Sequence, residues 1–187
     1  ERPFLFDEHS HPLHQILADT LGVDDLSRLH EFEHAQLLNP LLDREQRHAF
    51  HLAYDGFVTN FCIPLLHSLA MSKKVFSAHL SDRITYRYPS LPTIQIKCPG
   101  SAAMAPVCDS SAGHSIGCLT FHIPLTPCYG TNAQYTESHP GREDWHSLHA
   151  KSVGLGYMFD GARCLHFALE NTTNVTRVSL TFRVLMY

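Results

Sequence analysis

The sequence predicts one mostly-β domain, a two-sheet roll or barrel supported by N-terminal helices. Two observations lead to this prediction: apolar residues recur at helical spacing before residue 83, and short alternating segments separated by turn residues follow it. Seven or eight short strands after a helical lead-in are typical of two packed sheets. The 187 residues suffice for a single core. We therefore expect residues 1–82 to pack as a helical lead-in on a β core formed by residues 83–187.

The lead-in contains three apolar stripes. The first has spacings of three and four and consists of Leu13, Ile16, Leu17 and Leu21. The second is shorter and weaker, with spacings of three, and consists of Leu26, Leu29 and Phe32. Asp43 predicts an N-cap with Gln46 as its capping-box partner, and the clearest stripe follows it: Phe50, Ala53, Tyr54, Phe57, Val58 and Phe61. Pro64 predicts a kink or an end of that helix, and another helical piece is expected over residues 65–71.

The strands are predicted from alternation between turn signals such as Pro99-Gly100, Tyr129-Gly130 and Pro140-Gly141. The predicted strands are residues 93–97, 118–125, 132–136, 147–153, 164–169 and 177–185. Gly154-Leu155-Gly156 predicts a strand bend rather than a phosphate loop, because no helix opens after it.

Charge and cysteine usage exclude several classes of function. The net charge of -4 without a basic block argues against nucleic acid or an anionic membrane as a partner. The longest apolar runs are too short to span a bilayer. Six cysteines without a C-x-x-C pair, and no visible secretory leader, indicate reduced thiols and a cytoplasmic location. Two sequons, at Asn171 and Asn174, would carry glycans only in a secreted chain.

Three residues far apart in the chain suggest a ligand site. Arg177 and Ser179 share one face of the last strand, where a guanidinium beside a hydroxyl suits a carboxylate, although a strand arginine more often forms an ordinary ion pair. His166 precedes Arg177 by 11 residues, and Asp109 precedes His166 by 57. A carboxylate and two imidazoles form the facial triad of non-haem iron oxygenases. Asp109 and His166 could be two of its three ligands.

This order of Asp, distal His and Arg-x-Ser resembles that of Fe(II)/2-oxoglutarate-dependent oxygenases. The last 80 residues or so resemble more closely a bacterial branch that includes oxygenase-like proteins of aminoglycoside (streptomycin) biosynthesis clusters. The segments that carry this resemblance are Asp109-Ser110, Gly113-His114, Ile123-Pro124-Leu125-Thr126, Tyr129-Gly130-Thr131-Asn132, Glu137-Ser138, Pro140-Gly141-Arg142-Glu143-Asp144, His166, Glu170-Asn171, Thr176-Arg177-Val178-Ser179 and Phe182-Arg183-Val184.

The resemblance implies a double-stranded β-helix, also called a jelly roll, that binds Fe(II) and 2-oxoglutarate. In the family's roles, Asp109 and His166 would bind the metal, Arg177 would pair with the distal carboxylate of 2-oxoglutarate, and Ser179 would hydrogen-bond it. Asn132, expected on a neighbouring strand, would contact the cosubstrate or the substrate. The site entrance would be lined by His114 and residues 140–145.

One departure from the family pattern is important. The family has His-x-Asp, whereas this chain has Val107-Cys108-Asp109, and no other register restores the motif. Three outcomes compete: Cys108, His114 or His122 supplies the third ligand; the metal binds weakly, completed by 2-oxoglutarate and water; or the metal site has decayed. Cys108 is disfavoured because its side chain should point away from that of Asp109.

Two functions follow from these outcomes. The first is a dioxygenase, an oxidoreductase that hydroxylates or otherwise oxidises a small natural-product-like molecule. The second is a catalytically inactive binding or scaffold protein on the same fold, with a small acid or a protein as its partner. A cupin would need clustered histidines around His122, and a serine hydrolase would need a Gly-x-Ser-x-Gly elbow; neither pattern is present.

Overall fold

The computed structural model describes residues 1–33, 40–75 and 83–187. Its strands are β1 (Arg2–Leu5), β2 (Tyr86–Arg87), β3 (Thr93–Lys97), β4 (Met104–Val107), β5 (Cys118–Pro124), β6 (Gln134–Thr136), β7 (His146–Leu148), β8 (Leu155–Phe159), β9 (His166–Ala168) and β10 (Arg177–Met186). Its helical segments are α1 (Leu13–Leu21), a 3-10 helix (Leu26–Glu31), α2 (His48–Phe57), a π turn (Val58–Cys62) and α3 (Ile63–Ser72).

The strands form two antiparallel sheets with a helical winding. In the larger sheet the order is β1-β8-β5-β10, and both β2 and β3 also pair with β10. In the smaller sheet the order is β4-β9-β6-β7. From β3 to β10 the chain passes repeatedly from one sheet to the other, so it winds as a double-stranded β-helix. The predicted fold class is confirmed. The two sheets stay open, because no pairing within the described ranges joins one to the other.

Strand β10 has one apolar face and one polar face. Val178, Leu180, Phe182 and Val184 are buried in the main core together with residues of α1 and α2. The Phe182 ring stacks on Phe121 of β5 with centroids 5.2 Å apart, and meets Tyr54 of α2 edge-on at 5.3 Å. Burying one such ring contributes roughly 1.5–3 kcal/mol. The hydrophobic core therefore lies between the larger sheet and the helices, and the space between the two sheets is left to polar side chains.

The helical lead-in follows the predicted stripes with shifted boundaries. Asp43 Oδ1 accepts hydrogen bonds from the backbone N–H groups of Glu45 and Gln46, but it caps a turn, and α2 begins only at His48. Pro64 does not end the helix, because it occupies the first turn of α3, where its missing N–H is tolerated. The π turn immediately before α3 separates it from α2. The predicted boundary near residue 82 lies outside the described residues.

Most predicted strands are confirmed, and four strands were not predicted: β1, β2, β4 and β8. The segment 147–153 contains only the end of β7, because the chain then turns at Gly154, whose φ is 95°, and returns as β8. Strand β4 carries Pro106 and lacks alternation, which is tolerated because β4 lies at a sheet edge. Strand β1 pairs only with β8. No helix in the described ranges is long and apolar enough to cross a membrane.

Candidate functional site

A cavity of about 160 Å³ lies between the two sheets. Its polar lining residues are Gln95, Asp109, His122, Gln134, His166, Thr181 and Arg183. They come from both sheets and from the turn after β4, so the winding of the strands brings them together. Ligand sites for drug-sized molecules occupy about 300–1,000 Å³. This cavity therefore suits a smaller molecule.

Asp109 opens a 3-10 turn directly after β4 and is held on both carboxylate oxygens. Its Oδ2 accepts a hydrogen bond of 2.6 Å from Thr120 Oγ1, and its Oδ1 accepts one from Arg183 Nη2. Burial raises the pKa of Asp109, but the hydrogen bonds from Arg183 and Thr120 and the nearby charges outweigh it, so the pKa lies below its usual value. Asp109 is thus a buried carboxylate that stays ionised.

His166, on β9, presents one ring nitrogen to that carboxylate. Its Nδ1 lies 3.2 Å from the backbone oxygen of Cys164, an arrangement that favours hydrogen on Nδ1 and a free lone pair on Nε2. His166 Nε2 lies 3.6 Å from Asp109 Oδ1. Divalent metals bind such nitrogen and oxygen atoms at about 2.0–2.2 Å, so one ion can reach both atoms. The predicted convergence of Asp109 and His166 is found.

Arg177 and Ser179 lie on the polar face of β10, as the alternation predicts. Arg177 Nη1 donates to the backbone oxygen of Asn132 at 3.1 Å, and Nη2 donates to Gln95 Oε1 at 3.3 Å. Arg177 Nε and Ser179 Oγ are buried and have no partner among the described residues. Burial lowers the pKa of Arg177, because the guanidinium is removed from water. Buried polar atoms without partners are rare, and these two fit an anionic ligand.

His122, on β5, is a third buried group with an unused atom. Its Nδ1 lies 3.2 Å from Thr181 Oγ1, whereas its Nε2 is buried and has no partner among the described residues. Burial lowers the pKa of His122 to about 3, and the nearby Arg177 and His166 add to this effect. His122 is therefore a neutral imidazole at physiological pH.

The neutral state of His122 predicts acid sensitivity. Its pKa lies below the ordinary value of 6.5, so the unfolded chain binds more protons than the folded protein between about pH 6.5 and about 3. The free energy of unfolding should decrease as pH falls through this window, by about 1.4 kcal/mol per pH unit. His122→Gln should flatten the decrease, measured by urea unfolding at pH 7, 6 and 5. The exposed His9→Gln serves as control, and an unchanged slope in H122Q would assign the effect to other groups.

The proposed third ligands lie in different places. His114 is exposed and lines a separate outer groove. Cys108 borders the cavity, but its Sγ donates to the backbone oxygen of Arg163 at 3.3 Å. In residues 1–33, 40–75 and 83–187, no three His, Cys, Asp or Glu side chains form a group that could hold a metal ion. The structure thus brings together Asp109 and His166, the two residues that the sequence predicts as metal ligands.

Val107 lies beside His166 in the sheet and near Asp109 in the chain. It is the register partner of His166 between β4 and β9, so the two side chains share the face that lines the cavity. Asp109 follows two residues later. A histidine at this position would have its ring next to that of His166.

Asn132 does not lie on a strand, and Trp145 of the loop 140–145 does not lie at the entrance of the cavity. Asn132 ends a 3-10 turn before β6, and its side chain is bound to Tyr129 N and Pro127 O. It contacts Arg177 through its backbone oxygen and so positions that guanidinium. Trp145 packs edge-on against Phe167 at 5.0 Å, and Phe167 alternates with the inward-facing His166 on β9. Trp145 therefore covers the outer face of the smaller sheet.

Sequence reasoning missed Arg183, Thr120 and Gly161. The alternation in β10 that selected Arg177 and Ser179 continues to Arg183, so the signal for that residue was available. Gly161 carried no local signal. A Cβ added there would lie 2.7 Å from Asp109 Oδ2 and closer still to Thr120 Oγ1. The glycine allows these two side chains to meet.

Gly161→Ala should therefore disturb the carboxylate. We expect a loss of about 1–3 kcal/mol in the free energy of unfolding, from overpacking, together with weaker metal binding because Asp109 must move. Urea unfolding and calorimetric titration with Mn²⁺ would measure the two effects. Gly56→Ala is the matched control, since its added Cβ meets only Asn60 Nδ2 at 3.8 Å and should stabilise α2 by about 0.5–1 kcal/mol. Equal behaviour of the two variants would contradict the role given to Gly161.

Comparison with known proteins gives one relative in sequence. No family model matches the chain. It is 31% identical over 108 residues to the streptomycin biosynthesis protein StrG of Streptomyces griseus, a match that covers 57% of this chain and 50% of StrG. The chain therefore spans about half the length of this relative. The predicted resemblance to proteins of streptomycin biosynthesis is confirmed over that part.

Three solved structures overlap with the fold at low identity. The first is a non-haem monooxygenase, the ThoJ–Ni complex, with a TM-score of 0.41 and 13% identity over 50% of this chain and 42% of that one. The second is the non-haem α-ketoglutarate-dependent carbocyclase SnoK from nogalamycin biosynthesis, with a TM-score of 0.37 and 18% identity over 49% of this chain and 46% of that one. The third is an N-substituted L-amino acid dioxygenase from Burkholderia ambifaria AMMD, with a TM-score of 0.40 and 16% identity over 93% of this chain and 81% of that one. The fold assignment itself rests on the strand order.

Proposed function

We propose that this protein is a dioxygenase of the Fe(II)/2-oxoglutarate-dependent type that oxidises, for example hydroxylates, a small natural-product-like molecule. The observation that carries the proposal is the pairing of Asp109 with His166 at 3.6 Å in an interior that also contains unpartnered atoms of Arg177 and Ser179. The similarity to StrG supports a natural-product setting.

The cosubstrate end of the site would be formed by β10. A bound carboxylate would compensate the buried charge of Arg177, which has neutral partners in the backbone of Asn132 and the amide of Gln95. It would also give Ser179 Oγ and Arg177 Nε the partners that they lack. A dicarboxylic 2-oxo acid is proposed for this end because one acidic group would pair with Arg177 and the other would be free to face Asp109 and His166.

The metal end would be formed by Asp109 Oδ1 and His166 Nε2, a carboxylate oxygen and an imidazole nitrogen, which are the donor types that Fe(II) uses. Iron, when bound, supplies the activation of O₂ and the oxidation of the substrate. The chain holds the Asp109 carboxylate through Thr120 and the His166 ring through the backbone oxygen of Cys164. With two protein ligands, the other positions would be left to the cosubstrate and water.

The substrate would bind outside the inner cavity. An outer groove of about 380 Å³ shares Thr181 and Arg183 with that cavity and is also bordered by Tyr88 and His114. Its volume lies in the range of small-molecule sites. Small-molecule partnership and a cytoplasmic location belong to this proposal, as does the absence of nucleic-acid and membrane partners.

Two measurements on the purified chain test the proposal: iron and zinc content after growth with added metal, and succinate formation from 2-oxoglutarate with Fe(II) and O₂. We expect iron uptake and slow succinate formation even without substrate. Asp109→Asn should abolish succinate formation, whereas Asp24→Asn, on the surface, should not change it. If 2-oxoglutarate binds but neither metal uptake nor turnover occurs, the chain is the binding protein of the second hypothesis.

A further inference from the structure

Arg183 and His166 face the same oxygen of Asp109. Arg183 Nη2 donates to Oδ1, the atom that also lies 3.6 Å from His166 Nε2, whereas Oδ2 is taken by Thr120. A metal shared by the carboxylate and the imidazole would have to bind Oδ1 on this side. The guanidinium therefore occupies part of the space around the atom that a metal would need.

Arg183 is not fully bound in this position. Its Nε is buried and has no partner among the described residues, and its side chain is 21% exposed. It lines both the inner cavity and the outer groove. The described residues that border the outer groove include no carboxylate. Because Arg183 borders both spaces, rotation of its side chain would carry the guanidinium from the inner cavity into the groove, where water would solvate it.

We propose that Arg183 is a built-in competitor of the metal: its guanidinium neutralises Asp109 in the metal-free protein and must leave Oδ1 before the metal can bind. The proposal rests on the proposed function. A buried carboxylate without a counter-ion is costly, so Arg183 keeps the empty site folded. The same contact lowers the metal affinity, because the metal has to displace a charge-assisted hydrogen bond.

Calorimetric titration with Mn²⁺ alone tests this competition on the full chain, without any turnover. Arg183→Met should bind Mn²⁺ at least about tenfold more tightly than the unsubstituted protein, since hydrogen bonds to charged groups are of this size. Without metal the variant should melt at a lower temperature, and Mn²⁺ should raise its melting temperature more than that of the unsubstituted protein. Arg28→Met is the control, because exposed Arg28 forms a surface ion pair with Glu31; it should leave Mn²⁺ affinity unchanged.

A Mn²⁺ affinity in R183M equal to or weaker than that of the unsubstituted protein would overturn the competition, and turnover in the unsubstituted protein would then still support the proposed function. Binding by R183M alone would support competition while counting against a functional iron site in the natural chain. Binding by neither protein would overturn both ideas. If R183M does not fold, Arg183→Lys replaces it. The lysine variant should bind Mn²⁺ more tightly than the unsubstituted protein, because the shorter cation competes less for Asp109. Unchanged or weaker binding would contradict the proposal.

Discussion

Replacing Arg177 by leucine should weaken 2-oxoglutarate binding by at least about 100-fold, because two charge-assisted hydrogen bonds to a buried carboxylate are lost together. Arg177 is only 2% exposed, so water cannot replace the guanidinium. Calorimetric titration with 2-oxoglutarate, in the presence of Mn²⁺, measures the change. Arg177→Lys should recover part of the affinity, since it keeps the charge but not the planar fork.

Lys97 provides the matched control for Arg177. It is the register partner of Arg177 on β3, and its ammonium group donates to the backbone oxygen of Ala102. Lys97→Met removes one positive charge from the same part of the sheet without touching the buried fork. We expect less than a threefold change in 2-oxoglutarate affinity, because the ammonium group of the half-buried Lys97 is bound to the backbone oxygen of Ala102. A similar loss in K97M and R177L would mean that overall charge, rather than a specific contact, attracts the acid.

The second large effect is expected from Val107→His, which should raise the affinity for Fe(II) or Mn²⁺ by about 100-fold or more. Val107 faces the cavity beside His166 and two residues before Asp109, so the new imidazole would complete a set of two histidines and one carboxylate. Loss of residues that merely support metal ligands costs about 10–100-fold in affinity, and a ligand itself should contribute at least as much. Calorimetry and iron content per chain would measure the gain.

Cys108→His is the control for this substitution. It adds the same imidazole one residue later, where the present side chain is directed to the backbone oxygen of Arg163. We expect no gain in metal affinity. If C108H gains as much as V107H, the strand register assigned to β4 is wrong, and if V107H gains nothing, the position does not correspond to the family's first histidine.

The sequence was sufficient to predict strands whose two faces differ in polarity. Strand β10 alternates polar and apolar residues from Arg177 to Val184, all of them buried except Arg183, and its boundaries were predicted within one residue. Strand β1, four residues long, and strand β4, with Pro106, have too little alternation to be distinguished from loops. They are strands because neighbouring strands offer them hydrogen-bonding edges, which is a tertiary effect.

In the site, too, some features follow from the sequence pattern and others depend on tertiary packing. Asp109, His166 and Arg177 were predicted because the family order connects them, and two of them meet at 3.6 Å. The contact of Arg183 with Asp109, and the open space at Gly161 that lets Asp109 meet Thr120, depend on how two distant segments pack. Single positions in the sequence carry no record of such packing, so these features could be learned only from coordinates.

The two faces of β10 also separate the residues that stabilise the fold from those that line the interior between the sheets. Leu180 and Phe182 are buried in the hydrophobic core with residues of the helices, whereas Thr181 and Arg183, on the opposite face of the same strand, line the cavity. A substitution in the cavity lining, such as one at position 107, therefore leaves this hydrophobic core untouched. Mutations can therefore change the residues that line the interior with little loss of stability. Related proteins with different activities can in this way share one fold.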